Sequence, residues 1–384
     1  MAGSDKKTRT EADSLGPVEI PLAALWGAQT QRALDNFSID KPLPNRLIRA
    51  IALIKLCAAR ANAELGLLDA DKASAITTAA EAIVAGEHAD QFPVDIYQTG
   101  SGTSSNMNVN EVIAHLCARA GVDVHPNDDV NLGQSSNDTI PSAIHLSAVQ
   151  ALEPLQASIR QLRSAIQTRA AELADVVKPG RTHLMDAMPV TFGQVLGGWD
   201  SQLEHAGEKL RGAGHALQRL PQGGTAVGTG VNCHADFAAR FCFHLSESTG
   251  MHFQPLDSFF AGQGAIDRPL ALSAALRGYA IVVGKIANDL RWMNSGPLHG
   301  LGEISLPALQ PGSSIMPGKV NPVVCESTLM VCAQVQGLDQ AICLAAQQGN
   351  FELNVMLPLV ANNLLEMIRL LSRSNCFLAD KAIA

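Results

Sequence analysis

Five long runs of helical periodicity constrain this chain more than any other feature. They lie at residues 139–177, 194–220, 267–294, 322–348 and 351–372. Helices of this length exceed the roughly ten to fourteen residues that are usual in globular proteins. Because only 4% of the residues are aromatic, the helices must pack mainly through small aliphatic side chains. We therefore predict an all-α fold built on a bundle of long helices.

Apolar residues cover more than one face of these long helices. A helix that is apolar on two faces cannot bury both of them in a bundle formed by one chain alone. We therefore expect the second face to pack against other subunits of a homo-oligomer. The alternative is a large monomeric protein made of helices.

The first third of the chain is organised differently. Residues 1–43 are polar and show little periodicity, whereas apolar residues recur at helical spacing in 45–65, 69–86 and 107–119. Asp69 stands where an N-cap is expected, because its carboxylate can accept a hydrogen bond from a free N–H group of the first turn. We predict three shorter helices in this region.

The composition excludes several classes of protein. An apolar fraction of 47% with 17% charged residues is not that of an intrinsically disordered chain. Lys and Arg number 28 whereas Asp and Glu number 36, which gives a net charge of −8. This balance argues against a nucleic-acid partner, but it does not exclude a small anion bound in a cationic pocket.

The cysteines and the N-terminal segment bear on localisation. The eight cysteines form no Cys-x-x-Cys pair and mostly lie in apolar helical runs, so we expect buried, reduced thiols. The first ten residues are polar and lack the apolar core of a signal peptide. Uninterrupted apolar runs of about 18 residues, which would indicate a membrane span, are also missing. We expect a cytoplasmic protein that does not bind membranes.

Two polar loops precede helices in the first half of the chain. In Thr99-Gly-Ser-Gly-Thr103, small residues let the backbone approach a ligand, and hydroxyls at a helix start can bind an anion. The alternative for this loop is an ordinary turn. In Gln134-Ser-Ser-Asn-Asp138, two hydroxyls and an amide could cap a helix or hold a carboxylate. Both interpretations stay open for the second loop.

His183 stands in a third polar segment, Gly180-Arg-Thr-His-Leu-Met-Asp186. A single histidine is often structural. Because histidine titrates near neutral pH, it is also the natural side chain for proton transfer. His183 is therefore a candidate acid–base residue.

The most informative segment is Gly312-Ser-Ser-Ile-Met-Pro-Gly-Lys-Val-Asn-Pro322. Two glycines and a proline favour a flexible loop that could close over a site, and Asn321-Pro322 is a typical helix start. The loop supplies two hydroxyls, one cation and an amide. Glu326 falls on the first turns of the following helix, where it could pair with a histidine.

Together these groups suit one kind of chemistry. The sequence lacks motifs typical of metal ligation, nucleotide binding and serine hydrolases, so we expect neither a metal nor a cofactor. Neutral donors and one lysine suit a small dianion, and abstraction of a proton beside a carboxylate needs strong electrostatic stabilisation. A serine that acts as the base would need backbone N–H groups of its own loop to stabilise its alkoxide.

The segment 312–322 resembles the signature of the fumarase/aspartase superfamily. The resemblance extends from Leu25-Trp-Gly-Ala-Gln-Thr-Gln-Arg32 to Gly349-Asn-Phe-Glu-Leu-Asn-Val355. Three further segments are similar to class II fumarate hydratases, namely Gln98-Thr-Gly-Ser-Gly-Thr103, Gln134-Ser-Ser-Asn-Asp138 and Gly224-Thr-Ala-Val-Gly-Thr-Gly230. Aspartate ammonia-lyases typically carry Ala-Gly-Ala-Gly in the first of these loops and Ser-Thr-Asn in the second.

The resemblance implies reversible hydration of fumarate to L-malate, a step of the tricarboxylic acid cycle, without a metal or cofactor. It implies a homotetramer with five central helices per subunit in a twenty-helix core, and active sites shared between subunits. Ser313 would be the base, and His183, tuned by Glu326, would handle the proton of water. The implied substrate-binding residues are Ser101, Gly102, Thr103, Ser135, Ser136, Asn137, Thr182, Ser314, Lys319, Val320 and Asn321. A secondary dicarboxylate site would comprise His125, Pro126, Asn127 and Asp128.

The resemblance also predicts the domain organisation. The chain stops at Ala384, where members of the superfamily begin a small C-terminal helical domain. We predict a mostly helical domain over 1–133, a central long-helix domain over 134–375, and only the start of a C-terminal domain over 376–384. Two other functions stay open, namely an aspartate ammonia-lyase of the same superfamily and a truncated scaffold with weak catalysis.

Overall fold

The computed structural model describes residues 8–384, and over these residues the chain forms eleven α-helices and eight short strands. The helices are α1 (Ala28–Asn36), α2 (Asn45–Glu64), α3 (Ala70–Ala85), α4 (Thr103–Arg119), α5 (Ser136–Glu172), α6 (Phe192–Ala216), α7 (Phe237–Thr249), α8 (Phe259–Gly264), α9 (Asp267–Met293), α10 (Val323–Ala346) and α11 (Leu357–Leu378). The strands are β1 (Thr8–Asp13), β2 (Gly16–Pro21), β3 (Val177–Thr182), β4 (Met185–Thr191), β5 (Arg219–Leu220), β6 (Gln254–Pro255), β7 (Gly349–Asn350) and β8 (Leu353–Asn354). The predicted all-α class is confirmed, because the strands form only four two-stranded sheets.

The five predicted long helices are present as α5, α6, α9, α10 and α11, which contain 37, 25, 27, 24 and 22 residues. Several of their ends differ from the predicted ones; α6, for example, ends at Ala216 rather than at Leu220, and α11 ends at Leu378 rather than at Ser372. Helix α5 stops at Glu172, before the predicted end at Val177. Helix α11 begins at Leu357 rather than at Phe351, because Gly349 to Asn354 form the small β7–β8 hairpin. Helical periodicity in the sequence does not reveal such a short hairpin.

Two antiparallel hairpins replace segments that we expected to be irregular or helical. Strands β1 and β2 pair from Thr8↔Pro21 to Asp13↔Gly16 in the region predicted to be aperiodic; the part of that prediction before Thr8 lies outside the described residues. Strands β3 and β4 pair where we predicted the end of a helix and a polar loop. Both hairpins expose much of their surface, so the alternation of apolar and polar residues that marks a half-buried strand is weak.

Residue contacts group the chain into two units. The first comprises Met1–Val149, Ala216–Leu270 and Ala341–Leu365, and the second comprises Gln150–His215, Ala271–Gln340 and Glu366–Ala384. In the first unit, α2 packs against α3, α4 and α7 around fully buried aliphatic and aromatic side chains such as Ile51, Ile76, Val112 and Phe241. The domain boundaries proposed at 133 and 375 stay a prediction.

A buried polar chain links three helices of the second unit. The Tyr279 hydroxyl of α9 donates to Asn375 Oδ1 of α11 at 3.0 Å, and Asn375 Nδ2 donates to Ser158 Oγ of α5 at 3.0 Å. All three side chains are buried. Because burial raises the pKa of Tyr279, its hydroxyl stays protonated and remains a donor at any physiological pH. The chain of hydrogen bonds therefore fixes the register of these helices.

Helices α9 and α10 are long and apolar enough, by length and composition, to cross a membrane. This differs from our expectation, which rested on uninterrupted apolar runs and so passed over helices that contain a few charged residues, such as Arg277 and Lys285. Core helices of soluble proteins meet the same criterion, so the indication is weak. Both helices do expose large apolar side chains in the isolated chain, including Trp292 and Met330.

All eight cysteines are free thiols. Five of them are buried, whereas Cys233, Cys343 and Cys376 are half-buried. Burial raises the pKa of Cys57 and of Cys242 to about 12, which keeps these thiols protonated and unreactive. The expectation of buried thiols is thus met by most of the cysteines, but not by all.

Candidate active site

The first polar loop turns directly into α4, and glycine is required for the turn. Gly102 has φ +72°, and a Cβ atom there would lie 2.9 Å from Ile140 Cγ1. The turn places the Ser101 hydroxyl 2.8 Å from the Thr103 hydroxyl, which in turn lies 2.7 Å from the Ser136 hydroxyl. The first and second predicted loops thus meet and form one cluster of hydroxyl groups.

The start of α5 leaves its predicted ligand-binding side chains half-buried. Ser135 and Asp138 cap the helix reciprocally, and Asp138 Oδ1 accepts from Ser135 N at 2.9 Å. The Ser135 hydroxyl accepts from Asn137 N at 3.2 Å, and Asn137 Nδ2 donates to the Ala226 carbonyl at 2.8 Å. The cap therefore uses the side chains of Ser135 and Asp138, whereas those of Ser136 and Asn137 have no capping role.

Two buried charged residues hold this region, and we did not identify either of them from the sequence as functional. Asp138 Oδ2 accepts from Gly223 N at 3.0 Å and from Thr225 N at 2.9 Å. Lys55 Nζ donates to Asn131 Oδ1 at 2.7 Å and to Gln134 Oε1 at 3.0 Å. The polar loop at 134–138 is thus fixed on both sides by groups with no exposed surface.

Burial shifts the pKa values of Lys55 and Asp138 in opposite directions. Burial lowers the pKa of Lys55 to about 7, against the attraction of Asp138. Burial also raises the pKa of Asp138, against the effect of its three N–H donors. The available signal for Lys55 was a lysine within the apolar run of α2, since lysine is almost never fully buried without a specific reason.

The predicted secondary dicarboxylate site lies at a single π-helical turn, Pro126–Val130. His125 is the N-cap of this turn, and the other three site residues are its first three residues. His125 Nδ1 accepts from Asp128 N at 3.1 Å and lies 3.3 Å from Asp128 Oδ2. A carboxylate at this position disfavours a second anion. Binding of a dicarboxylate by His125, Pro126, Asn127 and Asp128 stays a prediction.

In the second unit, the serine-rich loop folds back on itself. Gly312 N donates to the Lys319 carbonyl at 2.7 Å, and Asn321 Nδ2 donates to the Gly312 carbonyl at 3.2 Å. A Cβ atom on Gly312 would lie 2.8 Å from Asn321 Oδ1, so the closure needs glycine. The Ser313 hydroxyl accepts from Ile315 N at 3.3 Å, which is the kind of donor that we expected beside an alkoxide.

A cavity of about 1070 Å³ lies beside this loop. Of the predicted site residues, Lys319, Val320, Asn321 and Glu326 line it. The remaining wall comes from the end of α9 and from the segment 294–308. The cavity therefore gathers the predicted cation, the amide and the acid of the second unit on one surface.

His183 lies at the tip of the β3–β4 hairpin. His183 and Leu184 have φ +57° and +62°, and Thr182 pairs with Met185 across them. Two consecutive positive φ angles define a type I′ turn, which is uncommon for residues with large side chains and is typical of functional positions. The histidine side chain is exposed, so the hairpin presents His183 outward from its own chain.

The predicted site residues thus form two sets. The first unit contains Ser101, Gly102, Thr103, Ser135, Ser136 and Asn137. The second unit contains Thr182, His183, Ser313, Ser314, Lys319, Val320, Asn321 and Glu326. Sequence reasoning missed three charged residues that contact these sets or their neighbours. Lys55 and Asp138 do so in the first set, and Glu303, which accepts a hydrogen bond from Arg181 beside Thr182, does so in the second.

Comparison with known proteins gives a consistent result. A family model described as Lyase matches residues 16–337. The chain is 56% identical over 380 residues to fumarate hydratase class II 2 of Pseudomonas aeruginosa, which covers 98% of this chain and 83% of that protein. It is 50% identical over 379 residues to the class II fumarate hydratase of Mycobacterium tuberculosis, covering 98% and 80%.

The fold agrees with the sequence comparison. The crystal structure of recombinant class II fumarase from Schistosoma mansoni superposes with a TM-score of 0.97 at 39% identity, covering 98% of this chain and 84% of that one. Both the family model and the relatives span most of the chain, including the two sets of polar site residues. The chain therefore belongs to the class II fumarate hydratase family of lyases.

Proposed function

We propose that this chain catalyses the reversible hydration of fumarate to L-malate. The observation that carries the proposal is an identity of 50–56% to proteins named class II fumarate hydratase, over at least 98% of the chain. The candidate site also contains the groups that the reaction needs. These are a serine with a backbone donor, a lysine, a histidine and a cluster of hydroxyl groups.

In the dehydration direction, Ser313 takes the proton from C3 of malate, and the electron pair of the broken C–H bond moves into the neighbouring carboxylate. The resulting aci-carboxylate then expels the C2 hydroxyl, which leaves as water after it accepts a proton from His183, whose basicity Glu326 tunes. Solvent afterwards takes the proton from Ser313 and restores the one on His183. Hydration follows the same steps in reverse.

Electrostatic stabilisation is the main task of the other residues. The N–H group of Ile315 already points at Ser313 Oγ, and one such donor to an oxyanion contributes about 10²- to 10³-fold in rate. Lys319 supplies a positive charge beside the carboxylate that gains electrons. The hydroxyl and amide groups of both sets hold the two carboxylates without further charge.

We also propose a homotetramer in which subunits share active sites. The resemblance to the superfamily supports this assembly, as do the large apolar side chains that α9 and α10 expose in the isolated chain. Burial of such faces between copies would also account for helices apolar enough to suggest a membrane span. We propose a cytoplasmic location, which the eight free thiols support.

A direct assay tests the reaction. Purified chain is incubated with L-malate or with L-aspartate, and fumarate is followed by its ultraviolet absorbance. We expect fumarate from malate and none from aspartate. Fumarate from aspartate alone would identify an ammonia-lyase, and no product from either substrate, from a folded tetramer, would overturn the proposal in favour of a scaffold.

A complementation experiment tests the sharing of sites. One variant carries Thr103→Val in the first unit, and the other carries Ser313→Ala in the second. Each is expected to have low activity alone. If sites combine different subunits, unfolding and refolding of the two variants together produces some tetramers with intact sites, and activity recovers. If each site lies within one chain, the mixture stays as inactive as its components.

A further inference from the structure

One buried carboxylate meets two cations of strand β3. Glu303 is only 8% exposed in its side chain, and its Oε1 atom accepts a hydrogen bond from Arg181 Nη1. Its Oε2 atom lies 3.3 Å from Lys178 Nζ, whose side chain is 10% exposed. The three side chains form a charge cluster in which one carboxylate is shared.

An irregularity in β3 makes this cluster possible. In a regular strand, residues three positions apart point to opposite faces, so Lys178 and Arg181 could not reach the same carboxylate. The pairing with β4 shifts between Pro179 and Arg181, which brings both side chains to one face. Gly180 lies at the shift, and a Cβ atom there would be 2.6 Å from the Met188 carbonyl.

The charge cluster attaches β3 to Glu303, whereas the apolar side chains near the hairpin tip are exposed. The apolar side chains of Leu184, Met185 and Met188 are 68%, 70% and 79% exposed. Near the base of the hairpin, Lys178 Nζ also lies 5.7 Å from the centre of the Phe192 ring. Arg181 immediately precedes Thr182 and His183, so its position sets theirs.

The backbone around Glu303 is itself fixed. Glu303 N and Ile304 N both donate to the Met293 carbonyl, at 2.8 and 3.2 Å, and Leu306 N donates to Asn294 Oδ1 at 2.8 Å. This segment is a wall of the cavity that Lys319, Asn321 and Glu326 also line. Glu303 therefore connects a rigid wall of the cavity to the hairpin that carries His183.

We propose that Glu303 is a positioning residue that, through Arg181 and Lys178, fixes the orientation of Thr182 and His183. The inference rests on the proposed hydratase function for its kinetic consequence, but not for its structural one. Removal of the carboxylate charge would take from Lys178 and Arg181 the buried carboxylate that they share. Arg181 would keep only the exposed Asp186, whose Oδ1 atom lies 3.9 Å from Arg181 Nε, and the hairpin tip would be freed. A displacement of about 1 Å in a catalytic group can reduce the rate by about 100-fold.

The test is Glu303→Gln, which keeps the shape and removes the charge. We expect kcat for malate to fall by about 10- to 100-fold while KM changes much less. The reason is that the proposed substrate-binding residues outside the hairpin are unchanged in this variant. Hydrogen exchange of the amides in 178–189 should become faster. The matched control is Glu81→Gln, which breaks an exposed ion pair with Arg60 on α2 and should change neither quantity.

A second variant keeps the inference testable if Glu303→Gln folds poorly. Arg181→Met removes the other half of the cluster, and the double variant should be no slower than the worse single variant, because both act on one attachment. Additive losses, or unchanged kcat and unchanged exchange in folded Glu303→Gln protein, would overturn the inference. Failure of the proposed function would be seen separately. In that case the wild-type chain would not turn over malate, whereas Glu303→Gln would still increase hydrogen exchange in the hairpin.

Discussion

The hydroxyl oxygens of Thr103 and Ser136 lie 2.7 Å apart, although 33 residues separate them in the sequence. Thr103 is the first residue of α4, and Ser136 is the first residue of α5. Two helix N-termini therefore meet at this hydroxyl pair, and both favour negative charge through their free N–H groups and dipoles. We therefore predict that this part of the first unit binds a carboxylate without a cationic side chain from either loop.

Thr103→Val should weaken substrate binding, because it removes the central hydroxyl of the cluster and keeps the shape of the side chain. A hydrogen bond to a charged group contributes about 1.5–3 kcal/mol, so we expect kcat/KM for malate to fall by about 10- to 100-fold. Thr78→Val is the control, since the Thr78 hydroxyl donates to the Ser74 carbonyl on the exposed face of α3. Equal kcat/KM for the two variants would remove Thr103 from the binding site.

Ser313→Ala should abolish most turnover without affecting assembly. The side chain makes one hydrogen bond within its own loop, so its loss costs little stability, whereas a general acid–base group contributes about 10²- to 10⁴-fold in rate. Steady-state kinetics with malate measures the effect, and light scattering checks the oligomer. Ser74→Ala on α3 is the matched control. A near-normal kcat for Ser313→Ala would assign the role of base to another residue.

The parts of the fold that the sequence predicted are those fixed by local interactions. Asp69 accepts from Asp71 N at 2.9 Å at the start of α3, and Gly86 ends that helix with φ +97°. These are the cap positions that the residue types indicate, because an N-cap and a C-terminal glycine act within a few residues of the helix end. The long helices were predictable because the apolar periodicity that indicates them is also a local feature of the sequence.

The parts that the sequence did not predict depend on partners distant along the chain. The position of Lys55 in an apolar run is visible in the sequence, but its partner Asn131, which accepts a hydrogen bond from Lys55 Nζ, lies 76 residues away. Arg181 and Glu303 are separated by 122 residues. Single-chain periodicity carries no information on such pairs, so the loops of the candidate site were recognisable whereas the charged residues that hold them were not.

Gly100→Ala should disturb the first polar loop through the backbone. A Cβ atom at Gly100 would lie 1.8 Å from the Val355 carbonyl oxygen, and the Gly100 carbonyl accepts from Leu357 N at 3.0 Å, at the start of α11. One of the two backbones must therefore move, at a cost of about 1–3 kcal/mol. We expect a lower thermal unfolding midpoint and a lower kcat/KM for malate.

The control for this backbone effect is Gly212→Ala, at an exposed position of α6 one turn before its C-terminal residue Ala216. No heavy atom lies within 4 Å of the added Cβ there, and alanine favours a helix over glycine by about 1 kcal/mol. We expect the same or a higher unfolding midpoint and unchanged kinetics. If Gly100→Ala behaves in the same way as Gly212→Ala, the close approach of residues 100 and 355 does not determine the position of the loop.

Lys55 should make stability depend on alkaline pH. Burial lowers the pKa of Lys55 to about 7 in the folded protein, from the ordinary lysine value of 10.5. Between these two values, the unfolded chain holds a proton that the folded chain has released. The free energy of unfolding therefore rises with pH across this window, by up to about 1.4 kcal/mol per pH unit from this group.

The measurement compares wild type with Lys55→Met by thermal or denaturant unfolding at pH 7, 8 and 9. We expect wild type to gain stability relative to the variant as the pH increases, because only wild type has the buried amine. Lys72→Met is the control, since the hydrogen bond that Lys72 Nζ donates to Asp129 raises the pKa of Lys72 and both states keep its proton up to pH 9. A difference for Lys55→Met that stays constant across these pH values would mean that Lys55 remains charged in the folded protein, with its hydrogen bonds to Asn131 and Gln134 compensating for burial.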